Sequence, residues 1–280
     1  MRLVDVSFAK RLEMVSAISG RECAEALHRF APHVPAIAED IAGGIAVFTG
    51  VDSPVTQAFG FGLDGSVAEA ELDRLEQFFF SRRAPVALEL CPFIHPTLVE
   101  LLKNRPYRLE EFSNVLLRDL QAGEVFPAPS SPLTIRPAEP GEAKLYTRVV
   151  TDGFAEQVPV TQALLDVVEG FFYRSRGQSF FALLDGEVAG AAAVAAHEGI
   201  AELYGAATLS RFRGRGVQSA LIAQRLAWGV QQGCSLATTT TGPATSSQRN
   251  FERAGFQIVY SRTKLVRACE SSAARYKEKS

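Results

Sequence analysis

One constant offset constrains what this chain can fold into more than any other feature. A stretch of the first half lines up without a gap, though with few identities, on residues 149 positions later, Tyr107 falling on Phe256 and Arg118 on Arg267. At that offset 85–91 falls on 234–240, 116–118 on 265–267, and 67–83 on 216–232, with Leu72 over Leu221. A register held over about fifty residues reads as an internal duplication, so one plan is expected twice.

The length agrees with this. The 280 residues leave room for two domains of about 150 each. With 47% hydrophobic and 21% charged residues, each half is able to bury a core. A net charge of -2 provides no general basic field for nucleic acid or an anionic membrane, so neither is expected as a partner. Charges interrupt the first residues every few positions, and the most apolar later run, 188–196, is too short to span a bilayer. A cytoplasmic location is expected. Cys23, Cys91, Cys234 and Cys269 are scattered without metal-ligand spacing and are read as unpaired thiols of a reducing compartment, with no metal site.

The segment 121–132, QAGEVFPAPSSP, reads as a linker, and 268–280 lacks apolar periodicity and reads as a flexible tail. The expected domains are therefore 1–120 and 133–267. In the second, strands are expected at 133–136, 180–184, 188–197, 200–208, 235–241 and 256–266. Helices are expected at 142–154, 162–174, 217–232 and 246–254, with Gly233 and Gly255 as stops for the last two. Asp185-Gly186 is a hairpin turn signal. An antiparallel meander followed by β-α-β-α-β is an α+β plan.

Chemistry concentrates between Thr208 and Gln218, where a strand ends, a basic glycine-rich loop follows and a long helix begins. A helix start leaves backbone N–H groups unpaired and carries partial positive charge. Glycine lets a phosphate approach the backbone, and Arg211, Arg213 and Arg215 add charge. The loop reads as a pyrophosphate site; a basic surface turn before an ordinary helix is the plainer alternative.

Arg213, Gly214, Arg215, Gly216, Val217 and Gln218 resemble the acetyl-CoA motif of the GNAT superfamily of N-acetyltransferases, [Q/R]-x-x-G-x-[G/A], with Gln218 where glycine or alanine is usual. Asn250 to Phe256, ending in Gly255-Phe256, resembles the family's second signature. The resemblance covers 133–267 and implies a mixed, mostly antiparallel twisted sheet flanked by helices. It implies acetyl-CoA as co-substrate, and Ala206, Ala207 and Thr208 as the strand positions whose backbone meets the pantetheine and the acetyl oxygen. It also implies direct attack by an amine in a ternary complex, with no covalent enzyme intermediate. Glu202 matches a position where members keep a glutamate as base, and Tyr204 shares its strand parity; His197 is a second candidate base. Phe251 stands where a tyrosine often protonates the leaving thiolate, which leaves Ser246, Ser247 or water.

At the offset, Asp64 replaces Arg213 and Glu69 replaces Gln218, among the further carboxylates Glu71 and Asp73. Ser66 with Glu69 reads as a capping box that occupies the helix N–H groups. The first half is thus expected to be a degenerate GNAT-like domain without a CoA site. Gly60, Gly62 and Gly65 form a literal GxGxxG with Glu89 downstream, a rival dinucleotide reading that the carboxylates oppose. Phe78, Phe79 and Phe80 read as core and interface, and 217–230, with Trp228, as core.

Two functions from different classes follow: an N-acetyltransferase acting on a small-molecule or peptide amine, or a non-catalytic acetyl-CoA sensor or partner-binding protein. Transfer of a longer acyl group is a third. The chain is expected to be a monomer or homodimer.

Overall fold

The computed structural model describes residues 4–156 and 158–269. The first elements are α1 (Val6–Phe30), β1 (Ile37–Ile41), β2 (Gly44–Phe48), β3 (Gln57–Phe59), α2 (Glu69–Phe80), β4 (Val86–Leu90), α3 (Pro96–Lys103) and β5 (Arg108–Asp119). There follow β6 (Leu133–Pro137), α4 (Ala143–Phe154), α5 (Gln162–Phe172), β7 (Gly177–Leu184), β8 (Glu187–His197) and β9 (Ile200–Thr208). The last are α6 (Val217–Gln231), β10 (Leu236–Thr241), α7 (Ser246–Arg253) and β11 (Gln257–Arg267). At the 149-residue offset, α2, β4, α3 and β5 fall on α6, β10, α7 and β11 to within two residues at every end. The duplication is thus carried by whole elements.

The chain divides into two compact units, Met1–Asn114 with Val259–Ser280, and Val115–Ile258. These bounds differ from domains at 1–120 and 133–267: most of β11 is counted with the first unit, and the segment 121–132 lies inside the second. The reason is strand pairing. β11 runs antiparallel to β4 from Thr263↔Leu90 to Arg267↔Val86. Of the expected tail, 270–280 lies outside the described residues.

In the first unit the strand order is β1-β2-β3-β4-β11-β5, with β3 and β4 parallel at Ala58↔Leu88. α1 starts at Asp5, whose carboxylate accepts the Phe8 N–H at 2.8 Å. Ile41, Phe48, Phe61, Leu72, Leu75, Phe79 and Leu88 form the core; Phe78 joins them edge-on to Phe79, and Phe80 packs at the margin. In the same unit Glu13 of α1 is fully buried, accepting from Tyr260 Oη and Arg262 Nε, each at 2.7 Å. The cap of α2 differs from expectation. The helix starts later than 67, and Glu71, not Glu69, closes back on the Ala68 N–H at 2.8 Å.

In the second unit the order is β5-β10-β9-β8-β7-β6. β6 to β9 form the antiparallel meander, and β10 joins β9 in parallel. Helices cover both faces. Tyr146, Val149, Val150 and Val168 of α4 and α5 pack on Phe181, Ala191 and Ala193. Val217, Leu221 and Leu226 of α6, with Phe251 of α7, pack on Leu203, Ala192 and Val194. A strand covered on both faces carries no polar alternation, which explains the apolar, alanine-rich run of β8. Asp185 and Gly186, with φ of 54° and 83°, make the expected hairpin turn between β7 and β8.

Candidate active site

β9 and β10 part company. Their register runs from Leu236↔Ile200 to Thr238↔Glu202 and stops, while β9 continues to Thr208 and β10 to Thr241. Just beyond it, Thr239 Oγ1 still reaches the Leu203 carbonyl at 2.9 Å. On its other edge β9 pairs Ala193↔Tyr204 and Ala191↔Ala207, three residues against two, so β9 bulges at Gly205. Gly205 has φ of 54°, and its carbonyl accepts from Tyr146 Oη at 2.9 Å. A Cβ there would come within 2.5 Å of that oxygen, so the position requires glycine.

The bulge falls after Tyr204, and Glu202 and Tyr204 therefore share a face. Ala207 shares it too and is buried, whereas Ala206 packs with the α6 core. The hydroxyls of Thr208 and Thr241, on the last residues of the two diverging strands, are buried and have no hydrogen-bond partner among the described residues.

The glycine-rich loop lies between β9 and α6. Arg213, Gly214, Arg215 and Gly216 are exposed. Gly216 is the N-cap of α6 in left-handed conformation (φ 79°), and no side chain caps the helix. A Cβ on Gly214 or Gly216 would meet nothing within 4 Å. Val217 turns its side chain into the core, leaving its backbone at the helix start, and Gln218 is half-buried beside it. Arg211 pairs with Glu187 at 3.3 Å and Arg215 with Asp185 at 3.4 Å. Arg213 pairs with Glu156 at 2.5 Å, holding that exposed carboxyl below its usual range, and donates to the Gly153 carbonyl at 3.1 Å. Exposed ion pairs of this kind contribute little, about 0–1 kcal/mol, and hold the three arginines only loosely.

The face bearing Glu202 is more constrained than the sequence suggests. Arg174, just after α5, is buried and donates through both terminal nitrogens to Glu202 Oε2 at 3.2 Å. It also donates to His197 Nε2 at 2.8 Å and stacks 4.3 Å from the Tyr204 ring centroid. Tyr204 Oη donates to the Phe171 carbonyl at 3.3 Å. His197 is buried, not solvated at a turn: desolvation first, then the nearby Arg174, push its pKa down to about 4. It is therefore neutral and accepts from Arg174.

α7 carries the remaining positions. Thr245 caps it by accepting the Gln248 N–H at 3.2 Å. Ser247 and Asn250 are half-buried. Phe251 is buried, its ring edge-on to Phe256 at 5.1 Å, and supplies no proton.

Sequence reasoning missed Arg174, Arg225, Tyr146 and Gly205. Arg225 was open to detection: it lies on the buried stripe of α6 with Leu221, Ile222 and Gly229, spaced three and four apart. Arg174 follows a cluster of aromatics, without any period to mark it.

In the first unit two of the corresponding backbone N–H groups are occupied. Thr97 Oγ1 accepts the Val67 N–H at 2.9 Å, Glu71 takes that of Ala68, and the His95 N–H donates to the Gly62 carbonyl at 2.7 Å. Asp64 pairs with Lys10. Glu89 is buried on β4, where desolvation raises its pKa, and is not placed like a ribose partner at an exposed strand end.

Residues 147–256 match the model of the acetyltransferase (GNAT) family. The fold extends the likeness over nearly the whole chain. A GCN5-related N-acetyltransferase from Kribbella flavida is 17% identical, with a TM-score of 0.60 over 92% of this chain and 98% of that one. A GCN5-related N-acetyltransferase from Sphaerobacter thermophilus is 15% identical, with a TM-score of 0.57 over 95% and 94%. A tandem GNAT protein from the clavulanic acid biosynthesis pathway is 13% identical, with a TM-score of 0.58 over 94% of each chain. The architecture is that of two GNAT-like α+β domains. No curated protein sequence matches this chain. Among the described residues no helix is long and apolar enough to cross a membrane, and no cluster of His, Cys, Asp and Glu is placed to hold a metal.

Proposed function

We propose that the second unit binds acetyl-CoA and transfers its acetyl group directly to an amine. The observation that carries this is the uncapped, left-handed Gly216 start of α6 in an exposed loop of three arginines, beside a strand that leaves its neighbour. The backbone N–H groups of 216–218 would hold the pyrophosphate, with Arg213 and Arg215 released from their surface pairs to join them. The freed edge of β9 at Ala206, Ala207 and Thr208 would hold the pantetheine, and a backbone N–H near Ala206 would steady charge developing on the acetyl oxygen. Asn250 and Ser247 would line the α7 side. The bound thioester supplies the activated acyl group.

Glu202 is the base this reading favours. Its Oε2 is held by Arg174, so the amine proton goes to Oε1 or through a water. Tyr204, on the same face, shapes the acceptor's approach. The first unit, with its helix donors already engaged, is proposed to be a degenerate domain that binds no CoA.

One observation favours a second reading. With Glu202 ion-paired and Phe251 at the tyrosine position, an acetyl-CoA sensor without turnover fits the same site. Thiol release from acetyl-CoA, followed across a panel of small amines and peptides, separates the two. Amine-dependent release supports the enzyme. Acetyl-CoA binding with no release across the panel supports the sensor.

A further inference from the structure

Arg225 has a place in the second unit that its charge does not explain. It is fully buried in the apolar layer of Leu221, Leu226 and Phe251. Its Nε donates to the Leu221 carbonyl at 3.0 Å. Its Nη1 donates to the carbonyls of Ala193 and Tyr204, each at 3.4 Å. Among the described residues no carboxylate is paired with it, and Nη2 has no hydrogen-bond partner. A buried cation without a counter-ion is destabilising, and an apolar side chain of similar volume would pack there without that penalty. Burial pulls its pKa down to about 10, which leaves it charged at neutral pH.

Its location supplies a use for the charge. The Tyr204 carbonyl lies two residues past Glu202, the last residue of β9 in register with β10, so the guanidinium sits beneath the point where the strands part. It meets the bulge from the α6 side, while Tyr146 holds Gly205 from the α4 side. The groups around it are Tyr146 of α4, Tyr204 of β9, the Ala193 carbonyl of β8 and the Phe251 ring of α7, 5.9 Å away. Arg174, against the Tyr204 ring, brings Glu202 and His197 behind it. None of the four adjoining groups carries negative charge at neutral pH.

We infer that Arg225 is the cationic floor of the thioester site: a positioning residue whose carbonyl contacts fix the β9 bulge and whose uncompensated charge favours the sulfur anion released on acyl transfer. The inference rests on the acetyl-CoA reading of this unit. In the transfer the amine nitrogen bonds to the acyl carbon and the carbon–sulfur bond breaks. Its electron pair stays on sulfur, and the surplus amine proton passes to Glu202 or water. Sulfur thus leaves as a thiolate, which a nearby cation stabilises in a low-dielectric site, and no proton donor is needed at Phe251.

The test titrates the thiol of unacylated CoA bound to the full-length protein, read by thiolate ultraviolet absorbance against pH. The expected result is a bound thiol with its pKa at least about one unit below that of free CoA, a tenfold larger acid constant. Arg225→Met abolishes the shift and Arg225→Lys retains most of it. A wild-type bound thiol that titrates like free CoA overturns the inference whether or not the variants fold, and so does a shift that survives in a folded Arg225→Met protein. If CoA does not bind the wild-type chain, the acetyl-CoA reading itself fails; binding with an unshifted thiol removes only the role of Arg225.

Discussion

The Tyr146 hydroxyl and the Gly205 carbonyl meet at 2.9 Å, and the space a Gly205 side chain would need is taken by that hydroxyl. The bulge of β9 is therefore specified by a pair of residues 59 positions apart. Gly205→Ala must move the tyrosine and hold φ near 54°, and is expected to destabilise the protein by about 1–3 kcal/mol. Tyr146→Phe leaves a carbonyl without its donor and is expected to lose about 1 kcal/mol. Urea unfolding measures both. If Gly205→Ala unfolds at the wild-type midpoint, the bulge is not set by this pair.

Arg174 and Glu202 separate stability from chemistry. Arg174→Met leaves the Glu202 carboxylate without its counter-ion in a largely buried position, a loss expected at about 3–5 kcal/mol. Glu202→Gln is expected to reduce turnover by about a hundredfold or more, the lower end of what a general base contributes, with acetyl-CoA affinity unchanged. Steady-state kinetics beside calorimetric binding provides the comparison. Turnover and affinity falling together would make Glu202 structural.

His197 sets a pH window. Its folded pKa of about 4 lies below its usual 6.5, so between those values the unfolded chain binds the extra proton. Stability then rises with pH through the window: the contribution is complete above 6.5 and is lost as pH falls towards 4. The size is on the order of 3 kcal/mol. His197→Gln, which keeps an acceptor for Arg174, is expected to flatten the difference between unfolding at pH 7 and at pH 5. An unchanged pH slope in that variant would assign the effect to other groups.

Arg213 and Arg215 give a salt-dependent test. In the chain alone each makes an exposed surface pair, to which Arg213 adds a hydrogen bond to the Gly153 carbonyl, so replacement by alanine is expected to change stability by about 1 kcal/mol or less. Acetyl-CoA affinity is expected to fall about tenfold for each, with a smaller loss at high salt. Binding titrations at two ionic strengths check this, and equal affinity of wild type and both variants would place the anion elsewhere.

Elements whose signal is local were legible in the sequence. The β9–loop–α6 junction announces itself by a strand run, glycines and a helical period, and the Asp185-Gly186 turn by residue type alone. The offset that relates α2, β4, α3 and β5 to α6, β10, α7 and β11 needed only subtraction. Elements set by distant partners were hidden. The pairing of β11 with β4 joins positions more than 170 apart and moves the unit boundary. The α2 cap shifted from Ser66 to Ala68 because Thr97, from another helix, takes the Val67 N–H. Arg174 has no helical period to mark it, and only tertiary packing buries it beside Glu202.

One acetyl-CoA site is proposed, in the second unit, at the start of α6. Calorimetric titration of the full-length protein with acetyl-CoA, beside a Gly216→Glu variant, tests it most directly. Saturable binding at one site per chain is expected, lost when a carboxylate is placed at the helix N-cap. No binding by the wild-type protein, two sites per chain, or undiminished binding by the variant would contradict it.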